Sequence, residues 1–119
     1  DMGDKFAVSG SDRSDIYLKE AAIHARNIAK KYNCAIIWMS QLSAEAEGKI
    51  NVNQSMLEGS KTGKAAEADL MLLISKNPEI EGQDSNDPQR HIRLAKNKLT
   101  GWHGTVHVEL DVETGRYSA

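Results

Sequence analysis

Three groups of residues in this chain have the types and spacing that phosphate chemistry uses. The first is Gly59-Ser60-Lys61-Thr62-Gly63-Lys64-Ala65. A glycine-rich backbone followed by lysine at a helix start cradles phosphates. A phosphate loop also needs four residues between its glycines and a Ser or Thr after the lysine to reach Mg2+. Here three residues intervene, Ala65 follows the lysine, and no buried strand leads in. The segment therefore reads as a flexible basic loop, in which Lys61 and Lys64, with Lys49 upstream, attract a nucleic-acid backbone regardless of sequence.

Gln41, in Ser40-Gln41-Leu42, closes an apolar run at the end where open α/β sheets bind their ligands. Its amide either meets a phosphate or orients a water there, or simply satisfies local backbone. Lys96 and Lys98 lie two apart on an expected strand, with no acid at the adjacent positions, so both ammonium groups leave one face. Cations so placed neutralise a phosphate across an interface, or else form a solvated edge that discourages strand-to-strand aggregation. His91, His103 and His107 come without a carboxylate array and read as surface residues rather than a metal cluster. The absence of a Gly-x-Ser-x-Gly elbow argues against hydrolysis by a covalent serine.

Positioning these groups falls to a small set of elements. From Ser14, the residues Leu18, Ala21, Ala22, Ala25, Ile28, Ala29 and Tyr32 recur at three-and-four spacing. This predicts an amphipathic helix capped by Ser14, closed by Lys30 and Lys31 at the negative end of its dipole, and terminated at Asn33. Cys34-Ala35-Ile36-Ile37-Trp38-Met39 is apolar at every position, which predicts a strand covered on both faces and parallel to a neighbour, with Cys34 in the core at its start. The polar stretch from Ser43 to Ala68 keeps no period, although Met56-Leu57 and Ala65-Ala66 could seed short helical turns. Asp69 to Ser75 repeats the all-apolar pattern and predicts a second buried strand beside the first. Asn77 to Arg90, with Pro78, Gly82 and Pro88, is a solvated loop. Ile92, Leu94, Lys96 and Lys98, then Val106, Val108 and Leu110, alternate as half-buried strands do, joined through Thr100-Gly101-Trp102-His103-Gly104 as a hairpin.

The fold class that follows is α/β: a mixed sheet with parallel strands, a packed helix and a C-terminal antiparallel hairpin. Four strands and a possible stub before Ser9 fall short of the usual five or six, so this is either a small domain or part of a larger one. At 119 residues the chain holds one domain and one core. Its 39% hydrophobic and 27% charged residues exclude a disordered or collagen-like chain. The apolar runs Ala35–Met39 and Leu70–Ile74 are far below the roughly 20 residues that cross a bilayer. No membrane partner and no secretory leader are expected. A single cysteine excludes an internal disulfide framework and suits a reducing cytoplasm. The net charge of −2 provides no global field toward nucleic acid, so any such contact depends on a local patch.

Taken in order, Leu18 to Ala22, Lys31 to Leu42, Ala68 to Ile74 and Ala95 to Val106 resemble the carboxyl-terminal half of DnaB-like replicative helicases. The closing Glu109-Leu110-Asp111-Val112-Glu113-Thr114-Gly115-Arg116 looks like the end of bacteriophage helicase-primases of that group. The resemblance implies a partial RecA-like ATPase domain spanning residues 1–119, in a ring commonly of six subunits. In such a ring ATP and Mg2+ sit between neighbours and single-stranded DNA runs through the channel, with a primase as a further possible partner. It implies that Gln41 senses the γ-phosphate and couples it to the DNA-facing loop. Ala44 to Lys64 would be that loop, with Lys49, Lys61 and Lys64 as backbone contacts. Lys96 and Lys98 would form a basic finger pair reaching the neighbouring subunit's nucleotide, and Asp1 would hold Mg2+ through water.

Two departures accompany the resemblance. Such helicases usually carry arginine at the second finger position, and Lys98 cannot offer a planar bidentate fork. Neither the Walker A loop nor the catalytic glutamate is found in this sequence, so the chain by itself is expected not to hydrolyse ATP. The competing readings are a recombination or repair relative of RecA, and a non-catalytic scaffold or DNA-binding module that kept the fold and lost its phosphate loop.

Overall fold

The computed structural model describes residues 14–57, 63–79 and 87–119. It has two compact units, one built from residues up to 43 and 55–68, the other from 44–54 and 69–119.

The first unit is helical. Helix α1 runs Ser14–Tyr32, matching the periodicity end to end. Asn33 stops it in the left-handed conformation at φ 49°, a geometry that asparagine tolerates better than most residues. Leu18 and Ala21 are buried on its apolar stripe. A second, short helix α2, Gly63–Glu67, packs against α1. The Arg26 guanidinium ties the two by donating to the Glu67 carbonyl at 2.6 Å, with the Glu67 carboxylate 3.9 Å from Nε. The Ala65-Ala66 seed thus does become a helical turn, and Met56 ends a 3-10 turn, Gln54–Met56.

The segment after α1 departs from expectation. Cys34 to Met39 joins no ladder, and Cys34, Ile36, Ile37 and Met39 are exposed, Ile37 at 91%. The all-apolar run was the reason to expect a strand covered on both faces. A strand exists, however, only where a neighbour takes its backbone N–H and C=O groups, and no described strand lies beside this one. Cys34 is accordingly not a core residue.

The second unit is a four-stranded meander in the order β1 (Leu70–Lys76), β2 (Gln89–Asn97), β3 (Gly104–Asp111), β4 (Arg116–Ser118). Every pairing is antiparallel, so the expected parallel partnership of β1 is replaced by a reversed one with β2. The direction reverses because β1 returns through the polar connection after Asn77 rather than through a crossover helix. The expected hairpin is present as β2 and β3, with Ile92 opposite Val106 and Leu94 opposite Gly104. Strand β4 was not anticipated. It follows a tight turn in which Asp111 accepts from the Glu113 and Thr114 amides, and Gly115, at φ 67°, donates to the Asp111 carbonyl at 2.7 Å.

The two faces of this sheet differ. On one, Leu73 and Ser75 are buried under the segment 44–54. Ser75 Oγ donates to the Ile50 carbonyl at 2.6 Å, Arg93 donates to the Val52 carbonyl at 3.3 Å, and Val52 is 1% exposed. On the other face, Leu72, Ile74 and Val106 stay about half exposed, so β1 is half-buried rather than covered on both sides. The whole is an α/β arrangement of helices and an antiparallel sheet.

Candidate functional site

Gln41 is an exposed side chain on a fixed stretch of backbone in the first unit. After it, Leu42 bridges Leu57 in antiparallel fashion, and the Ser43 amide donates to the Met56 carbonyl at 2.7 Å. Before it, Ser40 Oγ accepts from Lys64 Nζ at 2.7 Å. Lys64 is only 8% exposed and stands in the first turn of α2. Expected in a solvated loop facing a nucleic-acid backbone, its ammonium is instead withdrawn from solvent and applied to a hydroxyl. A cation in that position needs hydrogen-bond acceptors, because removing it from water without them is strongly unfavourable. Lys49 is exposed in the 44–54 segment, its amide donating to the Ala46 carbonyl at 3.2 Å. Lys61 and Asp1 lie outside the described residues.

The lysine pair belongs to the second unit and is not two positions of one strand. Lys96 is half-buried within β2, opposite Met71. Lys98 lies one residue past the strand end, in a turn. Its amide donates to the Asp69 carbonyl at 2.9 Å, and its ammonium sits 3.6 Å from the Asp69 carboxylate, with the two side chains 45% and 58% exposed. The acid that adjacent positions lacked arrives from before β1. At that exposure such an ion pair is weak and exchangeable.

Asn97, between the lysines, is a residue the sequence reading passed over. It is buried, and its Oδ1 accepts from the amides of Leu99 and Thr100 while Nδ2 donates to Thr100 Oγ1 at 2.6 Å and to the Trp102 carbonyl at 3.2 Å. Asparagine before Lys-Leu-Thr-Gly was the available signal, since its side chain caps turns this way. Gly101 takes φ 74° here, and a side chain at Gly104 would meet the Trp102 ring at 2.4 Å.

His91 and His107 come together as directly paired residues of β2 and β3, with Nδ1 atoms 2.7 Å apart and rings edge to face. Asn77 Oδ1, 2.8 Å from His91 Nε2, can only accept, so that nitrogen carries a hydrogen; in the neutral ring Nδ1 then accepts from His107 Nδ1. Asn77 Nδ2 donates to Asp87 at 2.6 Å. The Gln89 amide and then Asn77 hold the Asp87 carboxyl below its usual range. Asp111 is lowered chiefly by the Thr114 hydroxyl, and Glu79 by Lys76. Among the described residues no group of three or more His, Cys, Asp or Glu gathers as metal ligands do.

No protein-family model matches the chain. A probable replicative DNA helicase of Trieres chinensis is 28% identical over 96 residues, covering 77% of this chain and 21% of that protein. A solved helicase-type ATPase domain superposes with TM-score 0.79 over 94% of this chain and 39% of its own, at 18% identity. A DnaB-like replicative helicase, solved in a study of its interactions with primase, gives 0.76 over 94% of this chain and 27% of its own, also at 18% identity. The chain therefore spans about a fifth of the length of the curated relative it matches. No described helix is long and apolar enough to cross a membrane. Sequence and fold together place the chain with the DnaB-like replicative helicases, along the portion of their ATPase domain that it matches.

Proposed function

We propose that this chain works as part of a complete replicative DNA helicase, coupling ATP hydrolysis at subunit interfaces of a hexameric ring to single-stranded DNA translocation and duplex unwinding. The observation that carries the reading is the alignment with a replicative helicase over 77% of the chain, in the same region whose fold follows an ATPase domain. In the full domain the antiparallel meander is continued by the parallel strands of a RecA-like sheet, which cover the apolar residues Ile36, Ile37 and Met39. Primase is a candidate partner of the assembled ring.

For nucleotide phosphates the described residues offer donors of suitable chemistry: an exposed amide at Gln41 and ammonium groups at Lys96 and Lys98. For Mg2+ they offer no cluster of ligands, and Asp1 lies outside them, so the steps assigned here run through the chain's own donors. Gln41, fixed on both sides, reports whether a γ-phosphate is present. Lys98, on a turn braced by Asn97, leaves its weak pairing with Asp69 for the phosphates of a neighbouring subunit, whose larger charge competes well for an exposed cation. Lacking the guanidinium fork, it stabilises the transition state as a point charge. Lys49 and Lys61 supply contacts to the DNA backbone.

In the complete motor, Lys98→Ala is expected to lower DNA-stimulated ATP turnover about 100-fold, a smaller loss than an arginine finger gives, with nucleotide binding nearly intact. Steady-state turnover together with nucleotide titration checks this. Unchanged turnover overturns the assignment.

A further inference from the structure

We infer that Lys64 is a positioning residue for nucleotide sensing rather than a DNA contact: through Ser40 it holds the backbone that presents Gln41. The inference rests on the helicase reading and adds to it a role for a side chain that its sequence context assigned to the DNA path.

The geometry is specific. Lys64 reaches back 24 positions in sequence to place its ammonium on Ser40 Oγ at 2.7 Å, a charge-assisted hydrogen bond. The lysine is 8% exposed, so its charge is not displayed to a polyanion. The carbonyl of the same residue accepts from the Ala68 amide at 3.2 Å, which fixes its backbone within the turn of α2. Arg26 anchors the far end of α2 to α1 through the Glu67 carbonyl. Beyond Gln41, the Leu42–Leu57 bridge and the Ser43 to Met56 hydrogen bond hold the chain a second time. An exposed amide is thus bracketed by two independent attachments, one to α2 and one to the 3-10 turn at Gln54–Met56. Such bracketing removes backbone freedom from a group that must meet a phosphate within a few tenths of an ångström. Loosening one bracket leaves Gln41 chemically intact and misplaced.

Two measurements test this, one for the attachment and one for its use. In the 119-residue protein, Lys64→Met and Ser40→Ala are each expected to speed amide hydrogen exchange across Ser40–Ser43 about tenfold, with Lys64→Arg restoring most of the protection. In the complete motor, the same two changes are expected to lower DNA-stimulated kcat about tenfold. The double variant should be no worse than the poorer single, because both remove one interaction. The salt dependence of single-stranded DNA binding should stay as in the wild type. A salt slope reduced by about one would make Lys64 a phosphate contact and overturn the inference. So would additive losses in the double variant, unchanged exchange, or lowered thermal stability with normal kcat. A wild-type motor without DNA-stimulated turnover would instead remove the helicase reading itself, leaving the exchange result to stand on the attachment alone.

Discussion

Lys64 and Lys98 have the same side chain in similar company, each near glycine and threonine in a polar stretch, yet the molecule treats them oppositely. At the start of α2, Lys64 is buried and its ammonium is applied to a neutral hydroxyl of its own unit. At the end of β2, Lys98 is exposed on a braced turn, with a loose carboxylate beside it. The buried lysine can position a neighbour but cannot leave, whereas the exposed one can exchange its partner for a phosphate. A lysine's chemistry here is decided by how much water remains around it and what took that water's place.

Removing each lysine's partner sharpens the contrast. Ser40→Ala deprives a buried cation of an acceptor and is expected to lower unfolding free energy by about 1–3 kcal/mol, measured by urea titration. A loss below about 0.5 kcal/mol would put Lys64 in the same class as Lys98. Asp69→Asn removes the exposed partner of Lys98 and should change stability by less than about 0.5 kcal/mol, with the difference fading as salt is added. A larger, salt-insensitive loss in that variant would mean that the Lys98 turn depends on the ion pair as well as on Asn97.

The smallest effect is that of acid. Asp87, Asp111 and Glu79 have carboxyl groups lowered on folding by hydrogen bonds and, for Glu79, by Lys76. Each contributes stability that is present above its unfolded value, about 4, and is lost as pH falls through the depressed folded value. All three are fully exposed, so melting temperature should decline only slightly between about pH 5 and about pH 2. Asp111→Asn should remove part of that slope, and a slope unchanged in this variant would show that the turn before β4 does not sense the charge.

Helix α1 was legible from Ser14 to its stop at Asn33, because periodicity, cap and terminator are all local properties of the chain. The β2–β3 hairpin was legible for the same reason, since alternation and a glycine-containing turn lie within a short span. Strand β4 escaped because three residues carry no period. The direction of β1 escaped because an apolar run specifies burial and says nothing of which neighbour it pairs with or in what sense. Gln41 was located correctly at the end of an apolar run, but the two attachments around it join residues 15 to 24 positions apart.

Local patterning by itself therefore determined where the helix and hairpin form, that no disulfide framework exists within the chain, and which lysines and amide are available to phosphate chemistry. Tertiary structure alone decided that Lys64 is buried on Ser40, that Lys98 finds Asp69, and that His91 meets His107. The division has one physical cause. Backbone propensity and periodicity act over a few residues, whereas the environment of a charge is set by groups that only folding brings near it.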